Sequence, residues 1–124
     1  MEVVKLLYNL LMVIIVHEGE KVTKEDLEKA KADYETYIKI TIDIEGKIVA
    51  LGGEYHADAE KLLLEGGSKQ NNIWGGGVNL ESRNFETNAI VNLRSGRNNS
   101  TDILDGETRE KFLDLAKKVL RTYV

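Results

Sequence analysis

His56 stands in the segment His56-Ala57-Asp58-Ala59-Glu60, beside two carboxylates, and Ser68, Lys69, Gln70 and the only tryptophan, Trp74, follow within a few residues. On a strand, alternate residues share a face, so His56, Asp58 and Glu60 would converge on one metal ion. On a helix, His56 and Glu60 lie one turn apart and Asp58 points nearly the other way. Ala57, Ala59 and Leu62 to Leu64 favour the helix, and no metal site is assigned. Two uses then remain open. Asp58 near the helix start can satisfy free backbone N–H groups while His56 and Glu60 form a local pair. The same pair could poise His56 as an acid or base with Glu60 as its orienter, because a nearby carboxylate favours the imidazolium. His56 and Glu60 are the catalytic candidates.

The loop Gly66-Gly67-Ser68-Lys69-Gln70 offers free N–H groups, a hydroxyl and an ammonium, which suit a carboxylate or phosphate. Its order, Ser-Lys with no helix after it, does not match a Walker A motif, and a helix C-cap followed by a solvated turn explains it equally. Trp74, between Asn71-Asn72 and Gly75-Gly76-Gly77, either plugs the core or forms a platform on which a planar ligand stacks. Asn92 and Arg94 alternate with Val91 and Leu93, so on a strand they would project away from the core, where Arg94 could grip an anion bidentately. Ser68, Lys69, Gln70, Trp74, Asn92 and Arg94 are the ligand-binding candidates. No cofactor is named by any motif.

The elements that must position these groups follow from periodicity and punctuation. Val13-Ile14-Ile15-Val16 reads as a buried strand. Thr23 is an N-cap for a helix over 24–34, with Glu25 and Asp26 in its first turn and Leu27, Ala30 and Tyr34 inward. Residues 37–44 alternate strictly, with Ile38, Ile40, Ile42 and Ile44 on one face. Glu45-Gly46 turns the chain into a partner strand over 47–51. A helix over 57–65 stops at Gly66. Strands are expected at 78–80 and 88–94, joined through Ser82-Arg83-Asn84, with 95–105 a polar loop. A last helix over 107–123 carries the stripe Phe112, Leu115, Ala116, Val119 and Leu120. The order β-α-β-β-α-β-β-α predicts an α+β domain with helices on a mostly antiparallel sheet.

At 124 residues, 42% hydrophobic and 31% charged, the chain fits one globular domain over 12–124. A net charge of -4 argues against nucleic acid and anionic membranes as partners, although Arg83, Arg94 and Arg97 form a local basic group. The absence of cysteine removes disulfides and thiolate chemistry and fits a cytoplasmic protein. Val3 to Val16 is almost wholly apolar, yet shorter than the roughly 20 residues of a membrane span. Leu6, Leu7, Leu10 and Leu11 recur at helical spacing, so residues 1–11 read as an apolar helical extension that needs covering, by its own domain or by a second subunit.

Taken together, Ile38-Lys39 to Asp43, His56-Ala57-Asp58-Ala59-Glu60, Leu63-Leu64, Gly67-Ser68-Lys69-Gln70, Trp74-Gly75, Asn92-Leu93-Arg94 and Asn98 resemble a family of small prokaryotic proteins known only as a domain of unknown function. The resemblance spans roughly Met12 to Tyr123 and is most specific from His56 to Trp74. It implies that members begin near Met12 and that the polar residues form one site, and it supplies no activity. The expectation is a polar pocket for a small anionic or polar metabolite, in a homo-oligomer. Catalysis as a hydrolase or lyase would rest on His56. The alternative is a non-enzymatic dimerising interaction or structural protein.

Overall fold

The computed structural model describes residues 12–124; the expected helical extension over 1–11 lies outside them. The elements run β1 (Val13–Val16), α1 (Lys24–Ala30), β2 (Tyr37–Asp43), β3 (Ile48–Gly52), α2 (His56–Glu65), β4 (Ile73–Asn79), β5 (Asn84–Glu86) and α3 (Gly106–Leu120), with short 3-10 turns at Gln70–Asn72 and Ile90–Asn92. The strands form one antiparallel sheet in the order β1-β3-β2-β4-β5. This is the expected α+β domain in the expected element order.

The alternation in β2 sorts the core into two layers. Ile38, Ile40 and Ile42 face α3 and are fully buried with Val78, Phe112, Ala116 and Leu120. Each large apolar side chain buried this way contributes roughly 1.5–3 kcal/mol. On the other face Ala50 and Ile73 pack against Ala59 and Leu63 of α2. Because a helix covers each face, the polar alternates of β2 are buried too: Thr41 is wholly inaccessible and Asp43 nearly so. Asp43 accepts from Gly46 N at 2.8 Å and from Ser68 Oγ at 2.6 Å, tying the β2–β3 turn to the loop after α2.

Three boundaries differ from the sequence reading. The first helix stops at Ala30 after a Thr23–Asp26 capping box, and Tyr34 is 40% exposed, its hydroxyl donating to Glu54 O. The glycine run 75–77 is the middle of β4, not a loop. Residues 88–94 are not a strand: β5 falls at 84–86, and the chain then doubles back between the bridges Asn88↔Asp102 and Arg94↔Asn98.

The glycines make β4 possible. A Cβ on Gly75 would meet Ala89, Val91 and the His56 ring. On Gly76 it would meet the Phe112 ring and Glu86 O, and on Gly77 the Tyr37 hydroxyl. Strand propensity is poor here, and close packing from both sides overrides it.

Candidate functional site

β5 pairs with β4 only from Gly77 to Asn79, so the edge of β4 from Ile73 to Gly75 needs other partners. Side chains supply them. The Asn92 amide accepts from Gly75 N at 2.8 Å and donates to Gly75 O at 2.9 Å, as a strand residue would. Its Nδ2 also lies 3.0 Å from Thr87 O and 2.9 Å from Thr101 O. Asn98, also buried, donates to Asn92 O, Ser100 O and Asp102 O and accepts from Leu104 N. Two amides therefore hold a loop that has little regular structure of its own.

Arg94 continues this edge. Its guanidinium donates to Ile73 O and, at 3.3 Å, to Asn71 O, and it stacks 4.2 Å above the centre of the Trp74 ring system. Arg97 donates to the same Asn71 O at 3.0 Å and lies 5.9 Å from that ring. Two guanidinium groups thus converge on one carbonyl oxygen, and neither is ion-paired with a carboxylate among the described residues. Burial first, then the neighbouring Arg97 charge, pulls the Arg94 pKa down, and Glu60 acts in the opposite direction. Lys69, exposed, caps the 3-10 turn that presents Asn71.

His56 lies on the α2 face of the sheet, above Gly75, whereas Trp74, the residue before Gly75 on the strand, packs in the α3-side core. The expected His56–Glu60 pair is not formed. At the first position of α2 the imidazole turns back onto the sheet, and Nε2 makes a 2.7 Å bond to Gly76 O. A carbonyl only accepts, so Nε2 carries the proton and Nδ1 keeps a free lone pair. Burial, with a smaller effect from the Lys39 charge, lowers the His56 pKa to about 4, so the ring is neutral at pH 7.

His56 borders a 610 Å³ cleft whose other walls are Tyr37, Lys39, Tyr55, Ala57, Glu86 and Asn88 to Val91. The Tyr37 hydroxyl donates to Glu86 Oε1, and Glu86 Oε2 accepts from Asn88 N at 3.0 Å. Burial and that carboxylate raise the Tyr37 pKa and keep the phenol protonated. Lys39 Nζ lies 5.2 Å from the Tyr34 ring and 5.9 Å from the Tyr37 ring.

The structure therefore brings Trp74 and Arg94 into contact and places Lys69 on the adjoining turn. Ser68 is engaged with Asp43, Gln70 is exposed at the start of the 3-10 turn, and Asn92 is wholly buried with its amide committed to backbone. Glu60, Lys69 and Arg94 do not line the His56 cleft. Among the described residues no three His, Asp or Glu side chains gather as a metal would need, and no helix is long and apolar enough to cross a membrane. Tyr37, Lys39 and Glu86 line the His56 cleft but are not among the binding candidates named from the sequence, where Lys39 enters only through the family resemblance. The available signal was the polar face of β2, where Tyr37 and Lys39 alternate with the buried isoleucines.

This constellation defines a small α+β domain with two neighbouring polar features on β4. The family described as "Protein of unknown function (DUF5674)" matches residues 14–119, and the chain belongs to it. No curated protein and no solved structure matches the chain.

Proposed function

We propose that the protein binds a small anionic metabolite, with Arg94 and Arg97 as the groups that take its oxyanion and Lys69 at the rim. One observation carries this reading: both guanidinium groups are drawn to Asn71 O, and among the described residues neither forms an ion pair with a carboxylate, Glu60 acting on Arg94 only from beyond contact distance. Like charges held side by side on backbone acceptors repel, and an oxyanion between them relieves that repulsion through charge-assisted bonds. Trp74 fixes the plane of Arg94 by stacking. The absence of cysteine fits a cytoplasmic setting. Hydrolase or lyase chemistry on this chain would fall to His56, acting at Nδ1 as a neutral base and oriented by Gly76 O in place of Glu60.

The test is thermal-shift and calorimetric titration with inorganic phosphate, citrate and sugar phosphates. Wild type should be stabilised. Arg97→Ala and Arg94→Lys should weaken binding by roughly five- to fifty-fold, as loss of a partly exposed anchor or of its fork geometry would. Lys69→Ala should cost less, and His56→Gln should bind like wild type. If no anion stabilises the wild type, or the arginine variants bind as it does, the reading fails. A dimerising interaction protein then takes its place, favoured by the exposed apolar side chains Ile90, Leu93 and Leu104.

A further inference from the structure

Gly75 and Gly77 project no side chain into the α2 face of the sheet, so Ala89, Val91, His56 and Tyr37 close down onto β4 and themselves form walls of the 610 Å³ cleft. That volume falls within the roughly 300–1,000 Å³ usual for small-molecule sites. Its walls carry a short and specific set of groups. Lys39 provides an ammonium that has no carboxylate partner among the described residues. His56, with Nε2–H given to Gly76 O, offers a neutral acceptor at Nδ1. Glu86 offers a carboxylate already steadied by Tyr37 and Asn88 N. Tyr55 and Ile90, 56% and 80% exposed, stand at the cleft with half-buried Val91.

These groups select a ligand by elimination. Lys39 and Glu86 stand on opposite sides of Gly77 in the sheet register without pairing, so the free ammonium can take one carboxylate while the nearby Glu86 charge disfavours a phosphate dianion more than a monoanion. A neutral imidazole that can only accept calls for an N–H or O–H donor. Large apolar side chains left open to water at the cleft gain from covering by an apolar body. We infer that this cleft binds a carboxylate carrying an apolar, hydrogen-donating body. Its carboxylate pairs with Lys39, its ring or branched chain covers Tyr55, Ile90 and Val91, and its donor meets His56 Nδ1. This site is separate from the arginine pair and does not depend on it.

Indole-3-acetate has all three features and serves as the probe. 3-Methylindole lacks the charge and acetate lacks the body. The full chain should bind indole-3-acetate saturably in calorimetry, with NMR shifts concentrated at Lys39, Tyr55, His56 and Ile90. Acetate and 3-methylindole should each bind at least roughly ten-fold more weakly. Lys39→Met, which keeps the stem over the tyrosine rings, should reduce affinity by a similar factor, and so should Ile90→Ser at a site too exposed to threaten the fold. Saturating inorganic phosphate should leave the binding in place. No saturable binding at millimolar probe overturns the inference. So does equal binding of either truncated probe, an affinity unchanged in both variants, or displacement by phosphate.

Discussion

His56 is neutral because of where its ring is held, and that has a measurable consequence for stability. Its pKa in the fold is about 4 against 6.5 unperturbed, so below pH 6.5 the unfolded chain binds a proton that the folded chain refuses. The stabilising effect of the neutral ring is therefore complete above pH 6.5 and is lost as pH falls towards 4. The loss amounts to at most about 3 kcal/mol. His56→Gln keeps a donor for Gly76 O and cannot titrate. The stability difference between wild type and this variant, from urea unfolding, should be flat above pH 6.5 and shrink steadily below it. An imidazole that titrates near 6.5 by NMR would show that burial does not shield it. Asn92 is the second residue whose effect can be read directly. Asn92→Ala removes the partners of Gly75 N and O and of two loop carbonyls, all buried or partly so. It should cost about 3 kcal/mol or more, since orphaned buried polar groups are expensive. Asn99→Ala, at an exposed position bonded only to Gly96 N, should cost under about 1 kcal/mol in the same unfolding measurement.

Among the elements, β4 separates what pattern reveals from what packing decides. The isoleucine alternation of β2, its hairpin with β3 and the apolar stripe of α3 are local signals, and all three elements form where the pattern places them. β4 carries Gly75-Gly76-Gly77, which reads as a loop because glycine has poor strand propensity. The reason for the glycines lies in Phe112, Tyr37 and His56, each far away in sequence. Val91-Asn92-Leu93-Arg94 shows the opposite failure. It alternates like a strand, but the Asn92 side chain takes the place that a strand backbone would occupy beside Gly75. The candidate site was legible to the same extent: residue types pointed to Trp74 and Arg94, while Lys39 and Glu86 meet His56 only through the sheet register. The glycine argument has its own test. Gly76→Ala drives a methyl group into Glu86 O and Phe112 and should destabilise by about 3 kcal/mol or more. Gly106→Ala, at the start of α3 with nothing within 4 Å of the new methyl, should be neutral or stabilise by up to about 1 kcal/mol. Comparable losses at both positions, by chemical denaturation, would mean that the glycines of β4 are not there for close packing.

At the scale of the whole molecule, the sheet ends at β1, whose outer edge has no strand partner among the described residues. Sheet edges are commonly guarded by charge, proline or a bulge, and Val13-Ile14-Ile15-Val16 has neither charge nor proline. The sequence immediately before it, Val3 to Leu11, adds further apolar side chains with only Lys5 and Asn9 among them. An edge strand without charge or proline beside an apolar segment favours association with a second copy, which pairs backbone to backbone and covers the apolar groups together. We therefore expect a homo-oligomer for the full chain at micromolar concentration, measured as mass by light scattering. The same measurement on residues 12–124 should give a smaller species or a steeper loss of mass on dilution, because the edge remains while the apolar segment is gone. Surface cations should matter little, so raising salt should not dissociate the assembly; burial of apolar area is insensitive to screening, whereas ion pairs across an interface weaken within a Debye length of about 3 Å at molar salt. A full chain that is monomeric across the concentration range, and remains in solution, would refute the expectation. An oligomer that falls apart in salt would move the interface from the β1 edge to a charged face.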